Sequence, residues 1–172
     1  MTHATMKKLL SPERPWYGID LKEGEFGALA EVVGQGGGLL RSVDAADART
    51  VEGLFDSVAD VFEFPDYFGS NWAALDECLA DLDWLPAVNA YVLVLRSAAD
   101  VLVDEPSAEL ATLLRVFEKV AQQWARPVEL GEWWDRPARS FHALFQEGES
   151  RRLKLVSRFR DVGRDLEWID LA

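Results

Sequence analysis

The run Ala90-Tyr91-Val92-Leu93-Val94-Leu95 is apolar without interruption. A strand with one wet face alternates apolar and polar residues, so six apolar positions in a row need cover on both faces. That requirement selects a parallel strand sandwiched by helices, and the flanking segments agree. Thr50 to Phe62 places Val51, Leu54, Phe55, Val58 and Phe62 on one side of a helix. Asn71 to Leu82 does the same with Trp72, Leu75, Leu79 and Leu82. Ala98 to Val103 reads as a short helix ended by Pro106. Ser107 then reads as the cap of a long helix, with Glu109 near its start and Leu110, Leu113, Leu114, Phe117, Val120 and Ala121 in register as far as Pro127. Leu39 to Val43 and Ser140 to Gln146 complete the set as strands. The order is βααβααβ, and helices between strands imply crossover connections and parallel pairing. The expected architecture is α/β: a three-stranded parallel sheet with helices packed on it and residues 90–95 as its central strand.

Residues 39–146 therefore form the expected domain, with extensions on either side. In the N-terminal extension, 1–38, residues 1–15 read as a loose leader and Glu25 to Val33 as a short helix. Gly34-Gln35-Gly36-Gly37-Gly38 reads as a flexible joint; no Lys-Ser or Lys-Thr follows it, as a phosphate loop would need. In the C-terminal extension, 147–172, the stretch from Arg152 to Arg160 alternates bases with apolar residues and reads as an added edge strand with its charged side in water. A nucleic-acid-binding strip is the alternative for that stretch. The acidity of the whole chain favours a role in neutralising the body of the protein instead. The loop holding Trp133-Trp134-Asp135 has no assignment.

Charge is informative once it is located. Residues 1–105 carry 7 Lys and Arg against 19 Asp and Glu, while residues 106–172 carry 11 of each, so the formal charge of −12 belongs to the first part. From Asp44 to Val94 there are 11 acids and one base, Arg49. Such a field repels nucleic acid and steers a basic protein, although solubility alone is served by it too. No segment has the ~18 consecutive apolar residues of a membrane span. The first sixteen residues lack the apolar core of a signal peptide, so the expected location is the cytoplasm. The single cysteine, Cys78, excludes an internal disulfide and reads as a buried thiol.

The segment Phe64 to Leu79, FPDYFGSNWAALDECL, carries the functional signal. Pro65 and Gly69 bracket a turn, with Gly69 free to adopt a positive φ, and Asn71 is a good helix N-cap. Behind the cap, the helical period puts Ala73, Ala74, Asp76, Glu77 and Ala80 opposite the core stripe. Small residues there leave the backbone approachable, and two carboxylates stand toward solvent. Taken alone, Asp76 and Glu77 are ordinary solvated helix charges. An aromatic-glycine loop directly before them makes a docking face.

Tyr67-Phe68-Gly69-Ser70-Asn71-Trp72, then Ala74-Leu75 and Glu77-Cys78-Leu79, resembles the inhibitory loop and second helix of the barstar family, intracellular inhibitors of a secreted bacterial ribonuclease. The resemblance covers residues 39–146 and implies a compact α/β fold with three parallel strands. It also implies steric and electrostatic blockade of a basic nuclease, with no cofactor, no metal, no catalytic residue and no direct contact with nucleic acid or membrane. Barnase and barstar are themselves the pair from which charge-steered association is usually illustrated.

Carried over by position, the resemblance assigns partner contact to Tyr67, Phe68, Gly69, Asn71, Ala73, Ala74, Asp76, Glu77, Lys119 and Gln123. Glu77 keeps the charge of a family aspartate with one methylene added. Ala73 stands at a family aspartate, Asp76 at a tryptophan, and Lys119 and Gln123 at two glutamates. Half of the acidic set is therefore replaced, so the expected partner is a basic secreted ribonuclease or toxin other than barnase, bound by a monomer acting as an immunity protein. A regulatory or scaffold protein that kept the fold and lost nuclease binding is the second reading. A hydrolytic enzyme is the third, because no spacing among Asp66, Asp76, Glu77, Cys78 and His142 forms a metal pair or sets a base beside a nucleophile.

Overall fold

The computed structural model describes residues 14–21 and 25–169. Five strands form one sheet: β1, Trp16–Ile19; β2, Gly38–Asp44; β3, Ala90–Arg96; β4, Ser140–Gln146; and β5, Trp168–Ile169. Five α-helices accompany them: α1, Glu25–Gln35; α2, Val51–Val61; α3, Trp72–Asp81; α4, Ser107–Trp124; and α5, Glu149–Asp161, with a short 3-10 turn at Ala98–Asp100. The strand order is β2-β3-β4-β1-β5, and every pair is parallel. The sheet thus has five strands where three are expected. β4 is its middle strand, and β3 is interior beside it.

The apolar run in β3 is explained by two cores. Tyr91, Leu93 and Leu95 face the large one, shared with residues of α2, α3, α4 and α5. Val92 and Val94 face a smaller one with Leu29 and Val33 of α1 and with Tyr17, Ile19 and Leu144. Each such side chain removed from water contributes about 1.5–3 kcal/mol, so both helical layers are held by the sheet between them.

β1 is the strand the sequence hides. Its four residues, all buried, pair with β4 from Trp16 opposite Ala143 to Ile19 opposite Gln146. β5 then pairs on the other side of β1, with Gly18 opposite Trp168. The approach is close: a Cβ on Gly18 would lie 2.8 Å from the Trp168 ring. The Gly-rich segment is no open joint. α1 runs through Gln35, Gly37 turns at φ 74°, and Gly38 opens β2.

The stretch from Arg152 to Arg160 is helical, within α5, and the edge strand comes from Trp168–Ile169 instead. Leu155 and Phe159, four residues apart, are its buried positions. The bases are largely spent within the molecule. Arg151 pairs with Asp100 at 2.5 Å, and Lys154 reaches the same carboxylate at 3.4 Å. Arg158 donates to the carbonyls of Ala99, Val101 and Leu102, and the Arg152 guanidinium lies 4.0 Å from the Trp168 ring centre.

Candidate functional site

The docking segment begins where α2 ends. Glu63 takes a left-handed conformation at φ 55°, the Phe64 amide donates to the Ala59 carbonyl, and the Phe68 amide closes a turn on the Pro65 carbonyl at 2.9 Å. The second left-handed residue is Ser70 at φ 46°, not Gly69. Asn71 then clamps the loop to the helix. Its Oδ1 accepts from the Ala74 amide at 2.9 Å, and its Nδ2 donates to the Gly69 carbonyl at 3.1 Å. The predicted cap is therefore present and does two jobs. At α4 the corresponding expectation fails: Pro106 occupies the capping position without a side-chain bond, and Ser107 is already helical.

Aromatic packing fixes the loop from beneath. Phe68 turns inward, its ring centre 5.0 Å from that of Phe64 and 6.2 Å from that of Phe55. Trp72 stands edge-on to Phe55 at 5.0 Å, and its indole Nε1 donates to Glu109 at the start of α4. Phe68 is thus a support for the surface, whereas Tyr67 is 72% exposed. Tyr67, Phe68, Ala74, Glu77, Cys78 and Asp81 line a pocket of about 140 Å³. Burial, then Asp81 and Glu77, raises the Cys78 thiol above its ordinary value, as suits a structural cysteine. Burial, then Asp83, raises the Asp81 carboxyl.

Beside that pocket, α3 and α4 enclose an open groove of about 600 Å³. The Trp124 indole, donating to the Leu79 carbonyl at 2.8 Å, ties the two helices below it. Ala73, Asp76, Glu77, Lys119 and Gln123 all line this groove, so residues some forty positions apart in sequence share one surface with the loop. Asp81, Arg126 and Arg136 line it too. Its ionisable side chains are Asp76, Glu77 and Asp81 against Lys119, Arg126 and Arg136, which balance.

Asp76 departs from its expected role. It does not stand out into solvent: its side chain is 13% exposed, Oδ2 is paired with the Lys119 ammonium, and Oδ1 is buried without a hydrogen-bond partner. The two departures from the family pattern, Asp76 and Lys119, neutralise each other across the helix pair. Glu77 and Asp81, one helical turn apart and both exposed, are the carboxylates that face outward. That i, i+4 relation is the sequence signal for the pair.

Arg136 is an anchor. It donates to the carbonyls of Gln123, Trp124, Arg126 and Pro137, and its guanidinium lies 4.3 Å from the Trp124 ring centre. These carbonyls include the C-terminal end of α4, where a cation is favoured.

His142 is fully buried in β4, its ring 5.8 Å from that of Tyr17, far in character from an accessible base. Among the described residues, no group of His, Cys, Asp and Glu is placed to hold a metal ion. No helix of the described residues is long and apolar enough to cross a membrane.

A helix-covered parallel sheet that presents a clamped aromatic loop beside a groove between two helices defines the class: an α/β protein. The sequence profile of one such family, Barstar (barnase inhibitor), matches residues 39–146, and the chain belongs to that family. No curated protein matches the sequence. Among solved structures, the fold is similar to two of the Aeropyrum pernix ORC2 protein. One, in ADPNP-ADP complexes, has a TM-score of 0.60 at 14% identity and covers 96% of this chain and 46% of its own. The other, the ADP form, has a TM-score of 0.56 at 14% identity, with 91% and 42% covered. This chain spans under half the length of those proteins, and the likeness is one of fold.

Proposed function

We propose that this protein is a barstar-like inhibitor or immunity protein that binds a basic ribonuclease or toxin and covers its active site with the Tyr67–Asn71 loop and the groove between α3 and α4. The observation that carries the reading is that eight of the ten partner-contact positions line two adjoining cavities that share Glu77 and Asp81, although they come from two separate helices and a loop. Oδ2 of Asp76 is already paired with Lys119, so Glu77 and Asp81 supply the outward charge, beside the Tyr67 ring. A basic cleft would meet these two carboxylates first, and the −12 charge of the chain would steer the approach.

Charge balance in the groove supports a partner other than barnase. A cleft lined only by bases would meet Arg126 as well as the acids, and like charges brought together without relief cost several kcal/mol. The fitting target presents bases toward Glu77 and Asp81 and an acidic or neutral edge toward Arg126. We take residues 39–146 as the inhibitory domain, with 1–38 and 147–172 as extensions.

The second reading, a regulatory or scaffold protein, is favoured by one fact: Ala73, Lys119 and Gln123 stand where the family pattern has acids. A nucleotide-binding role analogous to the fold neighbours lacks support. The connection from Asp20 to Glu25 holds three acids and one base, and the chain has no GxxxxGK followed by Ser or Thr.

The test is inhibition of RNA cleavage by a panel of purified basic extracellular bacterial ribonucleases, barnase included, with a fluorogenic RNA substrate. Wild-type protein should inhibit at least one enzyme other than barnase at stoichiometric concentration, and Glu77→Ala with Asp81→Ala should relieve it by at least 100-fold without loss of helicity. A panel left fully active by the wild type supports the scaffold reading instead.

A further inference from the structure

Five large hydrophobic side chains are exposed among the described residues: Tyr67, Leu130, Trp133, Trp134 and Leu153. Four of them lie on segments that adjoin the groove described above. Tyr67 lies on its α3 side, in the pocket that shares Glu77 and Asp81 with it. Leu130, Trp133 and Trp134 occupy a seven-residue tip, 129–135, that springs from Val128 and Arg136, both of them lining the opposite rim. Trp133 is 90% exposed and Trp134 48%. Leaving two indoles in water opposes the hydrophobic effect.

The tip is held, not loose. Val128 and Arg136 exchange backbone hydrogen bonds at 2.9 and 3.0 Å across its base. Within it, the Asp135 carboxylate accepts from the Leu130 amide at 2.9 Å and from the Gly131 amide at 2.8 Å. These bonds, that of Leu130 foremost, hold the Asp135 carboxyl below its ordinary value, so the clamp stays ionised at neutral pH. Gly131 takes φ 79°, a conformation that side chains rarely adopt. The two indoles brace each other edge-on at 5.3 Å and 84°. A preorganised aromatic pair loses little freedom when it is covered, and tryptophan is enriched among the residues that carry binding energy.

Charge selects what covers it. Residues 129–135 contain Glu129, Glu132 and Asp135 and no base. A second copy of a chain with formal charge −12 is repelled, as is an anionic lipid surface. A protein with an apolar pocket rimmed by Lys or Arg is matched.

We propose that Trp133 and Trp134 form a second anchor of the docking surface, inserting into an apolar pocket with a basic rim on the same ribonuclease that the groove covers. This rests on the inhibitor reading above. The tip adds aromatic contact beside a charge-balanced groove, and it sets specificity by requiring an apolar pocket that a basic cleft alone does not supply.

The experiment uses full-length protein and, as probe, the panel ribonuclease that it inhibits most strongly. Inhibition constants are measured for wild type, for Trp133→Ala with Trp134→Ala, and for Glu77→Ala with Asp81→Ala. The tip variant should keep its melting temperature and weaken inhibition on the order of 10- to 100-fold, mainly by faster dissociation, and Trp133→Phe should recover most of the loss. An inhibition constant within twofold of wild type for the tip variant, alongside loss in the groove variant, overturns the second anchor and leaves the inhibitor reading intact. A wild type that inhibits no enzyme of the panel overturns both. Tip-dependent dimerisation in sedimentation, or tip-dependent pelleting with phosphatidylglycerol vesicles, assigns the indoles elsewhere and overturns the inference.

Discussion

Lys119→Ala should destabilise the protein more than Asp76→Ala, although the two residues are partners in one ion pair. The asymmetry follows from burial. Lys119 is 60% exposed, whereas Asp76 is 13% exposed and has one oxygen already unpartnered. An exposed ion pair contributes about 0.2–1 kcal/mol. Removing the ammonium, however, leaves a largely dehydrated carboxylate with neither oxygen satisfied, a loss of about 1–3 kcal/mol. Water can enter where the exposed lysine stood, so the lower half of that range applies, roughly 1–1.5 kcal/mol. Asp76→Ala removes the dehydrated charge together with the pair and returns Lys119 to solvent, so its net cost is within about 0.5 kcal/mol. The double variant should match Asp76→Ala. Urea unfolding followed by circular dichroism reads this directly. With a slope of about 2 kcal/mol per molar, the midpoint falls by about 0.5–0.8 M for Lys119→Ala and by less than about 0.3 M for the other two. The reasoning is refuted if Asp76→Ala loses as much as Lys119→Ala, or if the double variant is the least stable of the three.

Two further outcomes are expected. Asn71→Ala deletes a helix cap and the bond to Gly69 together, so thermal melting should show a loss of about 1–2 kcal/mol, or roughly 2–8 °C. Inhibition should weaken further than stability predicts, because Ser70 loses the neighbour that holds its left-handed turn; a variant with native inhibition and a lowered melting temperature would show that the cap is structural only. Asp81 ends α3, where the carbonyl end of the helix disfavours a negative charge, and burial followed by Asp83 raises its carboxyl. The folded state then holds that proton more tightly than the unfolded chain does. Its favourable contribution is full below the unfolded value and is lost as pH rises through the raised one. Asp81→Asn should therefore raise the melting temperature at pH 7 and leave it unchanged at pH 3, and an equal shift at both pH values would count against the electrostatic cause.

The sequence revealed the elements whose patterns are local. β3 is legible because six apolar residues need two covers, and α2 and α3 because Leu54, Phe55, Val58, Leu75 and Leu79 repeat on one side and are buried there. Asn71 announces its cap by residue type. β1 is hidden in the sequence because Trp-Tyr-Gly-Ile has no period, and its order comes from β4 and β5, more than a hundred positions away. α5 resembles a strand in sequence because arginine stems lie along apolar surface, so a helix whose buried pair is Leu155 and Phe159 imitates alternation, with Leu153 left outside at 82% exposure. At the site, the helical period put Asp76 on the outer side of α3. Which helix packs on that side is a tertiary fact, and α4 brings Lys119 to it.

The place of β1 has a consequence for synthesis on the ribosome. Trp16, Tyr17 and Ile19 leave the exit tunnel well ahead of their first partner, β4, which begins at Ser140. At ~5–20 residues per second the intervening stretch takes roughly 6–24 s to make. During that interval β2 and β3 can pair, with α2 and α3 already packed on them, while β1 remains an unsheltered apolar segment. The Tyr67–Asn71 loop is thus synthesised before the sheet can be completed, and β1 waits for β4 with its apolar residues uncovered.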